Sequence, residues 1–296
     1  MDTRLSKIKA AVHLARPHQY IKNGFVWLPL FFGYGLESIM SVVHTFYAFV
    51  GFCFAASFVY VINDIRDVEA DRLHPVKKFR PLAANSLTRG EAGWVAALFV
   101  LSAAAVSFFL LPVSFWWIIG GYILLNILYS VFLKHVAIID INCIALGFVL
   151  RISAGSVAAN IENSPWIIIM TFLIALFLAL AKRWDDLLLS DGGRQVRKAL
   201  DGYNREFVFA AMVVMASVII VAYLLYTESP EVMAKHDSKN LYLSAFWVIA
   251  GILRYMQITF VEEKSGSPTV IVIRDLFLKV VVLCWLVSLY VLIYIL

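Results

Sequence analysis

The sequence has few charged residues and few cysteines, and each shortage excludes a class of protein. Only 15% of the 296 residues are charged and 62% are hydrophobic, whereas soluble domains carry about 25% charged residues. A soluble globular domain is therefore excluded, and the composition is typical of a polytopic membrane protein. The three cysteines, Cys53, Cys143 and Cys284, all lie in apolar runs. We interpret them as small buried hydrophobes, not as disulfides or metal ligands.

Two further patterns are missing. The N-terminal stretch MDTRLSKIKAAVHLARPHQYIKN is basic and interrupted by polar residues, so we expect no cleavable signal peptide. The charged loops contain no evident Ser/His/Asp or Cys/His set, so an activated protein nucleophile is not indicated.

The chain does have recurring apolar runs of about 20 residues, the length that crosses a hydrocarbon core of about 30 Å. They predict an all-α polytopic membrane protein with nine transmembrane helices and one domain, residues 1–296. The apolar part of the first span, residues 24–36, is too short to cross alone, so we expect that helix to begin nearer Arg16 and to include Lys22 and Asn23. The predicted spans lie at roughly 20–37, 42–62, 92–111, 115–133, 137–157, 165–182, 207–227, 241–260 and 271–295.

Basic residues concentrate on one predicted side of the membrane. The loops on the other side, near 38–41, 112–114 and 158–164, have no Lys or Arg, and only 228–240 contains two lysines. The positive-inside rule makes the basic side cytoplasmic. An odd number of spans then places the N-terminus and the charged loops in the cytoplasm and the C-terminus outside.

The end of the second span carries acids at helical spacing, in the sequence NDIRDVEAD. At about 100° per residue, Asp64, Asp67 and Asp71 share a narrow arc of one helix face, with Asn63 beside it. Stacked like charges are unfavourable on a bare helix, and a divalent cation removes that repulsion. Carboxylate oxygens favour Mg²⁺, whose coordination is commonly completed by substrate phosphates. We predict that the three aspartates are metal ligands and catalytic residues.

Basic residues follow in RLHPVKKFRP, where Pro75 and Pro81 interrupt the helix. The loop can therefore fold over the acidic helix end, and carboxylate-held Mg²⁺ with cations around it forms a diphosphate site. The alternative is a solvated acidic helix end that these basic residues balance. The predicted phosphate-binding residues of this region are Asn63, Arg72, Lys77 and Arg80.

NDIRDVEAD resembles the N-D-x-x-D-x-x-x-D motif of the UbiA superfamily of membrane prenyltransferases. The resemblance implies a UbiA-type bundle of nine transmembrane helices with cytoplasmic cap loops. Further stretches resemble one branch, the decaprenyl-phosphate phosphoribosyltransferases, in which the lipid phosphate is the acceptor and phosphoribosyl pyrophosphate is the donor. They are RPHQYIKN, DRLHPVKKFRPLAA, NILYSVFLKHVAIIDI, KRWDDL, RQVRKALDGYN and LRYMQITFVEEKSGSPTVIVIRD.

A second polar loop follows the sixth predicted span. Prenyltransferases of the family usually have a second D-x-x-x-D there, but Asp186 and Asp191 are five residues apart, a poor same-face spacing. Positive charge dominates this loop and suits the additional phosphates of a phosphoribosyl donor and a lipid phosphate. The alternative for residues 194–198 is ordinary positive-inside anchoring. The predicted phosphate-binding residues here are Lys182, Arg183, Arg197 and Lys198.

Polar residues inside spans usually face a bundle interior or a water-filled cavity. On that ground we predict that Lys22, Asn23, Asn126 and Tyr129 contact substrate. For Arg151, near the middle of the fifth span, three roles remain open: binding a phosphate, pairing with a carboxylate such as Asp140, and snorkelling.

These patterns and the resemblance predict an Mg²⁺-dependent enzyme that transfers 5-phosphoribosyl from phosphoribosyl pyrophosphate to a polyprenyl phosphate and releases pyrophosphate. The product would supply lipid-linked pentose for envelope glycans. The expected partners are these two substrates and the lipid bilayer of a bacterial inner membrane, with no nucleic acid; the sequence does not indicate the oligomeric state.

Two other functions are open from the sequence. A family prenyltransferase would move a prenyl group from its diphosphate to an aromatic or glycerol-phosphate acceptor, and the use of one donor or the other distinguishes the two enzymes. A transporter is the default for intramembrane charges, but the charges here cluster in two loops, and no inverted pair of broken helices is evident.

Overall fold

The computed structural model describes residues 2–73, 76–191, 198–263 and 268–295. Within these ranges the protein is all-α, without a β-strand, as predicted from the apolar runs. The α-helices are α1 Asp2–Ala15, α2 Leu28–Phe32, α3 Ile39–Leu73, α4 Arg89–Leu110, α5 Val113–Val131, α6 Ile139–Ala159, α7 Pro165–Asp191, α8 Arg205–Thr227, α9 Pro230–His236, α10 Ala245–Phe260, α11 Pro268–Arg274 and α12 Leu276–Tyr294.

Among the described residues, eight helical segments are long and apolar enough to cross a membrane. They correspond in order to the second to ninth predicted spans, which confirms the multi-pass membrane fold. Many large apolar side chains on these helices are exposed, for example Trp94, Trp117 and Phe246. Such side chains suit helices that face lipid, because the bilayer core solvates them favourably.

The first predicted span is built differently from the other eight. In place of one α-helix over 20–37, the chain forms a 3-10 helix, Pro17–Trp27, then α2, then a 3-10 turn, Gly35–Glu37. A 3-10 helix rises about 2.0 Å per residue, so 11 residues cover about 22 Å. The short apolar run therefore reaches further than an α-helix of the same length. Runs of 3-10 helix this long are uncommon.

Close packing on α6 holds this 3-10 helix in place. A Cβ atom added to Gly155 of α6 would lie 2.0 Å from the carbonyl oxygen of Val26, so only glycine allows the two backbones to approach this closely. The cluster around Val26 includes Phe52, Phe115 and Ala154. Near its other end the 3-10 helix is tied to α3, because the hydroxyls of Tyr20 and Ser57 are hydrogen-bonded at 2.7 Å.

Helix α3 is 35 residues long, which corresponds to about 50 Å at 1.5 Å per residue. This exceeds the roughly 30 Å hydrocarbon core, so the helix continues past its apolar part and carries Asn63 to Asp71 in regular helical geometry. The following loop folds back onto α3, because Leu82 and Leu87 are buried with Val61 and Val68.

The chain divides into two compact units. Unit 1 contains residues up to Phe132 together with Leu146–Ile168, and unit 2 contains Leu133–Ala145 and the residues from Ile169 onward. Unit 2 has its own core, in which Phe177, Met212, Tyr255 and Leu278 pack together. The single domain expected from the sequence stays a prediction.

Candidate active site

The acidic face of α3 lies in unit 1. Asp64 and Asp71 are almost completely buried, with 2% and 3% of their surface exposed, respectively. Asp67 is half-buried, whereas Arg66 and Glu69 are exposed. The three aspartates of the predicted arc therefore lie on the side of α3 that faces the protein interior.

Two arginines from other segments bind these carboxylates. The Nη1 atom of Arg80 lies 2.6 Å from Asp71 Oδ2 and 3.1 Å from Asp64 Oδ1, so one guanidinium bridges both aspartates. The Nη2 atom of Arg16 donates to Asp64 Oδ1, and the Arg16 guanidinium also lies over the Tyr60 ring, 5.1 Å from its centre. We call Arg16, Asp64, Asp71 and Arg80 the α3 cluster.

The charges of the α3 cluster balance, since it contains two carboxylates and two guanidinium groups. Its hydrogen bonds are not saturated, because the buried Oδ2 atom of Asp64 has no hydrogen-bond partner. Burying a carboxylate oxygen without a hydrogen-bond donor costs free energy. A bound ligand that contacts this oxygen would remove the cost.

The predicted set of three metal-binding aspartates is only partly brought together. Within the described residues, no group of three or more His, Cys, Asp or Glu side chains is arranged to hold a metal ion. Asp64 and Asp71 do converge, on Arg80, and Asp64 Oδ2 remains for another ligand. Two buried carboxylates with an open oxygen fit a hard cation such as Mg²⁺, so Mg²⁺ binding stays a prediction.

The other predicted residues near α3 occupy different positions. The Arg72 guanidinium donates to Glu69 at 2.9 Å and to Asn85 at 2.7 Å, so it is directed to the surface. Asn63 and Lys77 are half-buried. The structure thus brings Arg80 to the aspartates and directs Arg72 to Glu69 and Asn85.

Asn23 is fully buried and connects the 3-10 helix to two other segments. Its carbonyl oxygen accepts from Arg151 Nε at 2.9 Å, and its amide donates to Cys53 Sγ at 3.3 Å. Arg151 also donates to the Gly147 carbonyl and to the Tyr122 hydroxyl. Of the three roles open for Arg151, the carboxylate pair is wrong, because the guanidinium binds neutral oxygens and Asp140 pairs elsewhere.

Three other predicted residues lie in the spans of unit 1. Lys22 is half-buried on the 3-10 helix, and Tyr129 is half-buried on α5. Asn126 is also half-buried, and its amide donates to the backbone carbonyl of Tyr122 one turn earlier, at 2.8 Å. Their contacts with substrate stay predictions.

Unit 2 contains a second buried ionic network, which we call the α7 cluster. Arg183 is 1% exposed, and it donates to Asp140 Oδ2 at 2.8 Å and to Asp186 Oδ2 at 2.6 Å. Asp140 is fully buried, and its Oδ1 atom accepts from the Tyr203 hydroxyl at 2.6 Å. The Tyr203 hydroxyl in turn accepts from the backbone N–H of Ile138 at 2.7 Å. The phosphate-binding role of Arg183 stays a prediction, since its guanidinium is bound by two carboxylates.

Local geometry explains why the α7 cluster is held tightly. Ile138 has φ of 70°, an unusual value for a β-branched residue, and its N–H is bound by Tyr203. A Cβ atom added to Gly202 would lie 2.4 Å from the Ala137 Cβ. Burial raises the pKa of Tyr203, and the hydrogen bond to the Asp140 carboxylate acts in the same direction.

The remaining predicted cations of unit 2 are less defined. Lys182 is half-buried on α7. Lys198 begins a 3-10 helix, Lys198–Gly202, and its side chain lies outside the described part. Arg197 lies outside the described residues altogether.

Arg254 forms a separate ionic group in unit 2. It lies 2.6 Å from Asp275 and 2.8 Å from Glu262, and the hydrogen bond from Arg254 lowers the pKa of Asp275. A cavity of about 420 Å³ lies beside it, lined by Ala250, Leu253, Arg254, Gln257 and Phe277. Arg254 is thus compensated by carboxylates of its own chain.

Sequence reasoning missed Arg16 as a member of the site. The available signals were its place directly before Pro17 at the start of an apolar run and the resemblance of RPHQYIKN, which begins with Arg16, to the phosphoribosyltransferase branch. Its acidic partner, Asp64, is 48 residues further along the chain, and no local pattern connects the two.

The sequence was compared with known protein families and proteins. The model of the UbiA prenyltransferase family matches residues 26–234. The chain is 34% identical over 275 residues to a decaprenyl-phosphate phosphoribosyltransferase from Corynebacterium glutamicum, covering 91% of this chain and 82% of that protein. It is 32% identical over 297 residues to the protein of the same name from Mycolicibacterium smegmatis, covering 94% and 91%, respectively.

A solved structure shows the same fold. A UbiA homolog from Archaeoglobus fulgidus bound to DMAPP and Mg²⁺ superposes with a TM-score of 0.70 at 20% identity, covering 97% of this chain and 99% of that one. The resemblance stated from the sequence is therefore confirmed, both for the superfamily and for the phosphoribosyltransferase branch. The chain belongs to the UbiA prenyltransferase family.

Proposed function

We propose that this protein transfers the 5-phosphoribosyl group from phosphoribosyl pyrophosphate to a polyprenyl phosphate of the decaprenyl type and releases pyrophosphate. The observation that carries the proposal is the pair of buried carboxylates bridged by Arg80. It lies in a chain that is 34% identical to a decaprenyl-phosphate phosphoribosyltransferase over most of its length. The lipid-linked product would supply pentose for envelope glycans.

Asp64 and Asp71, with Asp67 on the same helix, would hold Mg²⁺. Once bound, this ion would neutralise diphosphate oxygens and stabilise the charge on the departing pyrophosphate. Asp64 supports this role because one of its carboxylate oxygens is buried without a hydrogen-bond donor.

The protein's own side chains bind and orient the substrates. Arg80 has a planar set of donors that matches phosphate oxygens, and the buried Leu82 and Leu87 fix its loop against α3. Lys22 would supply a second cation for the diphosphate. Burial of the site strengthens these interactions, because water screens them less.

The reaction breaks the bond from ribose C1 to a pyrophosphate oxygen and forms a bond from C1 to an oxygen of the lipid phosphate. The attacking oxygen is already anionic, so no general base is needed. Approach from the face opposite the leaving group would invert the configuration at C1. Positioning and electrostatic stabilisation supply most of the rate enhancement in such a mechanism.

We also propose a bacterial inner-membrane location with the N-terminus and the α3 cluster cytoplasmic and the C-terminus outside. The eight long helices alone would return the chain to its starting side. An external C-terminus therefore requires that the segment from Pro17 to Glu37 also crosses. Reporter fusions at both termini test this, and a cytoplasmic C-terminus would contradict it.

Donor choice tests the function. Purified protein in lipid nanodiscs receives polyprenyl phosphate, Mg²⁺ and one labelled donor, either phosphoribosyl pyrophosphate or a prenyl diphosphate with an aromatic or glycerol-phosphate acceptor. We expect label in the lipid extract only with phosphoribosyl pyrophosphate. Product formed from the prenyl diphosphate alone would overturn the proposal and identify a prenyltransferase.

A further inference from the structure

Two guanidinium groups converge on a single buried oxygen in the α3 cluster. Oδ1 of Asp64 accepts from Arg16 and, at 3.1 Å, from Arg80. Arg80 also binds Asp71, so it has a second carboxylate. Asp64 is the only carboxylate that the described contacts give to Arg16, so Arg16 depends on Asp64 for its counter-charge.

The backbone at Arg16 is in a conformation that side chains rarely adopt. Its φ is 54° and its ψ is 58°, in the left-handed region, immediately before Pro17. Hydrogen bonds hold it there, because the Arg16 N–H donates to His13 and the Arg16 carbonyl accepts from Gln19 at 2.9 Å. Strained residues that their surroundings hold in place concentrate at functional sites.

The strained backbone presents the Arg16 side chain to the acidic face of α3. The guanidinium lies over the Tyr60 ring, one helical turn before Asp64, and its side chain keeps 19% of its surface exposed. A group that is oriented by an aromatic ring and still partly accessible can bind a ligand without a large rearrangement.

A divalent cation bound at the α3 cluster would compete with Arg16 for Asp64. A cation on either oxygen of this carboxylate would lie within a few ångströms of two guanidinium groups, and like charges repel strongly at that distance in a buried site. A diphosphate removes the conflict, because its oxygens accept from guanidinium groups while other oxygens bind the metal.

We propose that Arg16 is a substrate-binding residue that exchanges partners. Without substrate it neutralises Asp64. When a metal–diphosphate complex binds, its guanidinium moves from the Asp64 carboxylate to a diphosphate oxygen, and Asp64 turns to the metal. This inference rests on the proposed function and adds Arg16 to its site.

Two binding measurements on the intact protein in nanodiscs test the exchange. Binding of Mn²⁺ alone is followed by electron paramagnetic resonance, since Mn²⁺ takes the same oxygen ligands as Mg²⁺. Binding of inorganic pyrophosphate at saturating Mn²⁺ is followed by calorimetry. For Arg16→Gln we expect Mn²⁺ to bind about threefold more tightly and pyrophosphate about tenfold more weakly, because the competitor and the phosphate ligand are lost together.

Opposite changes in the affinities for Mn²⁺ and pyrophosphate distinguish the exchange from a structural role, because a damaged site would bind both probes more weakly. The matched control is Arg89→Gln, which removes an equal charge from an exposed pair with Glu69 and should leave both affinities unchanged. Arg16→Lys keeps the charge and loses the planar fork, so we expect Mn²⁺ affinity near wild type and intermediate pyrophosphate affinity.

The inference is overturned if Arg16→Gln weakens both probes or changes neither while the wild type binds them. If the wild-type protein binds neither Mn²⁺ nor pyrophosphate, the proposed function fails, and the inference fails with it. The two failures are therefore separable in one experiment.

Discussion

The α3 cluster and the α7 cluster contain the same types of group but differ in how fully the central carboxylate, Asp64 or Asp140, is hydrogen-bonded. Both carboxylate oxygens of Asp140 have donors, and its partner Arg183 is buried. In the α3 cluster one oxygen of Asp64 has none, and the two arginines keep about a fifth of their side-chain surface exposed, 19% for Arg16 and 24% for Arg80. Burial alone therefore does not identify a site. A buried carboxylate oxygen without a hydrogen-bond donor, next to partly exposed arginines, is a better indication of a site.

The difference also indicates what each cluster contributes. A buried ion pair whose carboxylate has donors on both oxygens fixes the segments it connects, and removing that carboxylate leaves the buried cation less well compensated. A buried carboxylate with one oxygen lacking a donor can accept a ligand on that oxygen. We therefore expect substitutions in the α7 cluster to affect stability first and substitutions in the α3 cluster to affect catalysis first.

The largest effect is expected for Asp140→Asn. The change leaves the buried Arg183 charge without one of its carboxylates, so the free energy of unfolding should fall by about 3–5 kcal/mol. Thermal unfolding in mild detergent measures it, with Asp201→Asn, an exposed aspartate of the same unit, as the control. Equal unfolding temperatures for Asp140→Asn and wild type would remove the distinction between the clusters.

Asp71→Asn tests the other side of the comparison. The amide cannot hold a cation as the carboxylate does, so the initial rate of phosphoribosyl transfer should fall at least about 100-fold, with an unfolding temperature close to wild type. Glu69→Gln is the matched control, because Glu69 lies on the same helix and is exposed. A variant that loses stability in proportion to activity would assign Asp71 a structural role.

Gly155→Ala tests the close packing of the 3-10 helix against α6 in unit 1. The added methyl group would meet the Val26 carbonyl oxygen at 2.0 Å, so we expect a loss of about 1–3 kcal/mol from overpacking. Gly120→Ala has nothing within 4 Å of the added atom and should be neutral or slightly stabilising. Thermal unfolding of the pair checks this, and indistinguishable curves would contradict the packing of the 3-10 helix on α6.

The smallest effect is expected for Tyr203→Phe, which removes the hydrogen bond to Asp140 and the one from the Ile138 N–H and should destabilise by about 1–2 kcal/mol. Folding raises the pKa of Tyr203, so its contribution is fully present below the unfolded pKa of about 10 and is lost as the pH rises further. The difference in unfolding temperature between wild type and Tyr203→Phe should be constant from pH 7 to 9 and should narrow above pH 10. A difference in unfolding temperature that grows with pH would contradict the hydrogen bond between Tyr203 and Asp140.

Hydropathy and spacing predicted much of the fold and the acidic face of the site. Eight predicted spans became helices because runs of apolar residues long enough to cross a bilayer have few alternatives there. The inward arc of α3 followed from helical periodicity alone. In both cases the information is local, within one turn or one span of the residues concerned.

The sequence did not reveal what depends on distant contacts. The close packing of Pro17–Trp27 on α6 requires that Gly155, more than 100 residues away, has no side chain. Arg151 was compatible with a carboxylate partner, yet it binds Asn23 and Tyr122. Arg183 was predicted from its charge to bind phosphate, and only the structure shows that Asp140, 43 residues earlier, takes its guanidinium. Charge can be read from sequence, but the partner of a charge cannot.

The most direct measurement counts both products of one reaction mixture. Purified protein, Mg²⁺, phosphoribosyl pyrophosphate and polyprenyl phosphate are incubated together, and pyrophosphate and lipid-linked phosphoribose are quantified at the same time points. We expect the two products to form in equal amounts and neither to form when the metal is chelated. Pyrophosphate release without lipid product, or lipid product unaffected by chelation, would contradict it.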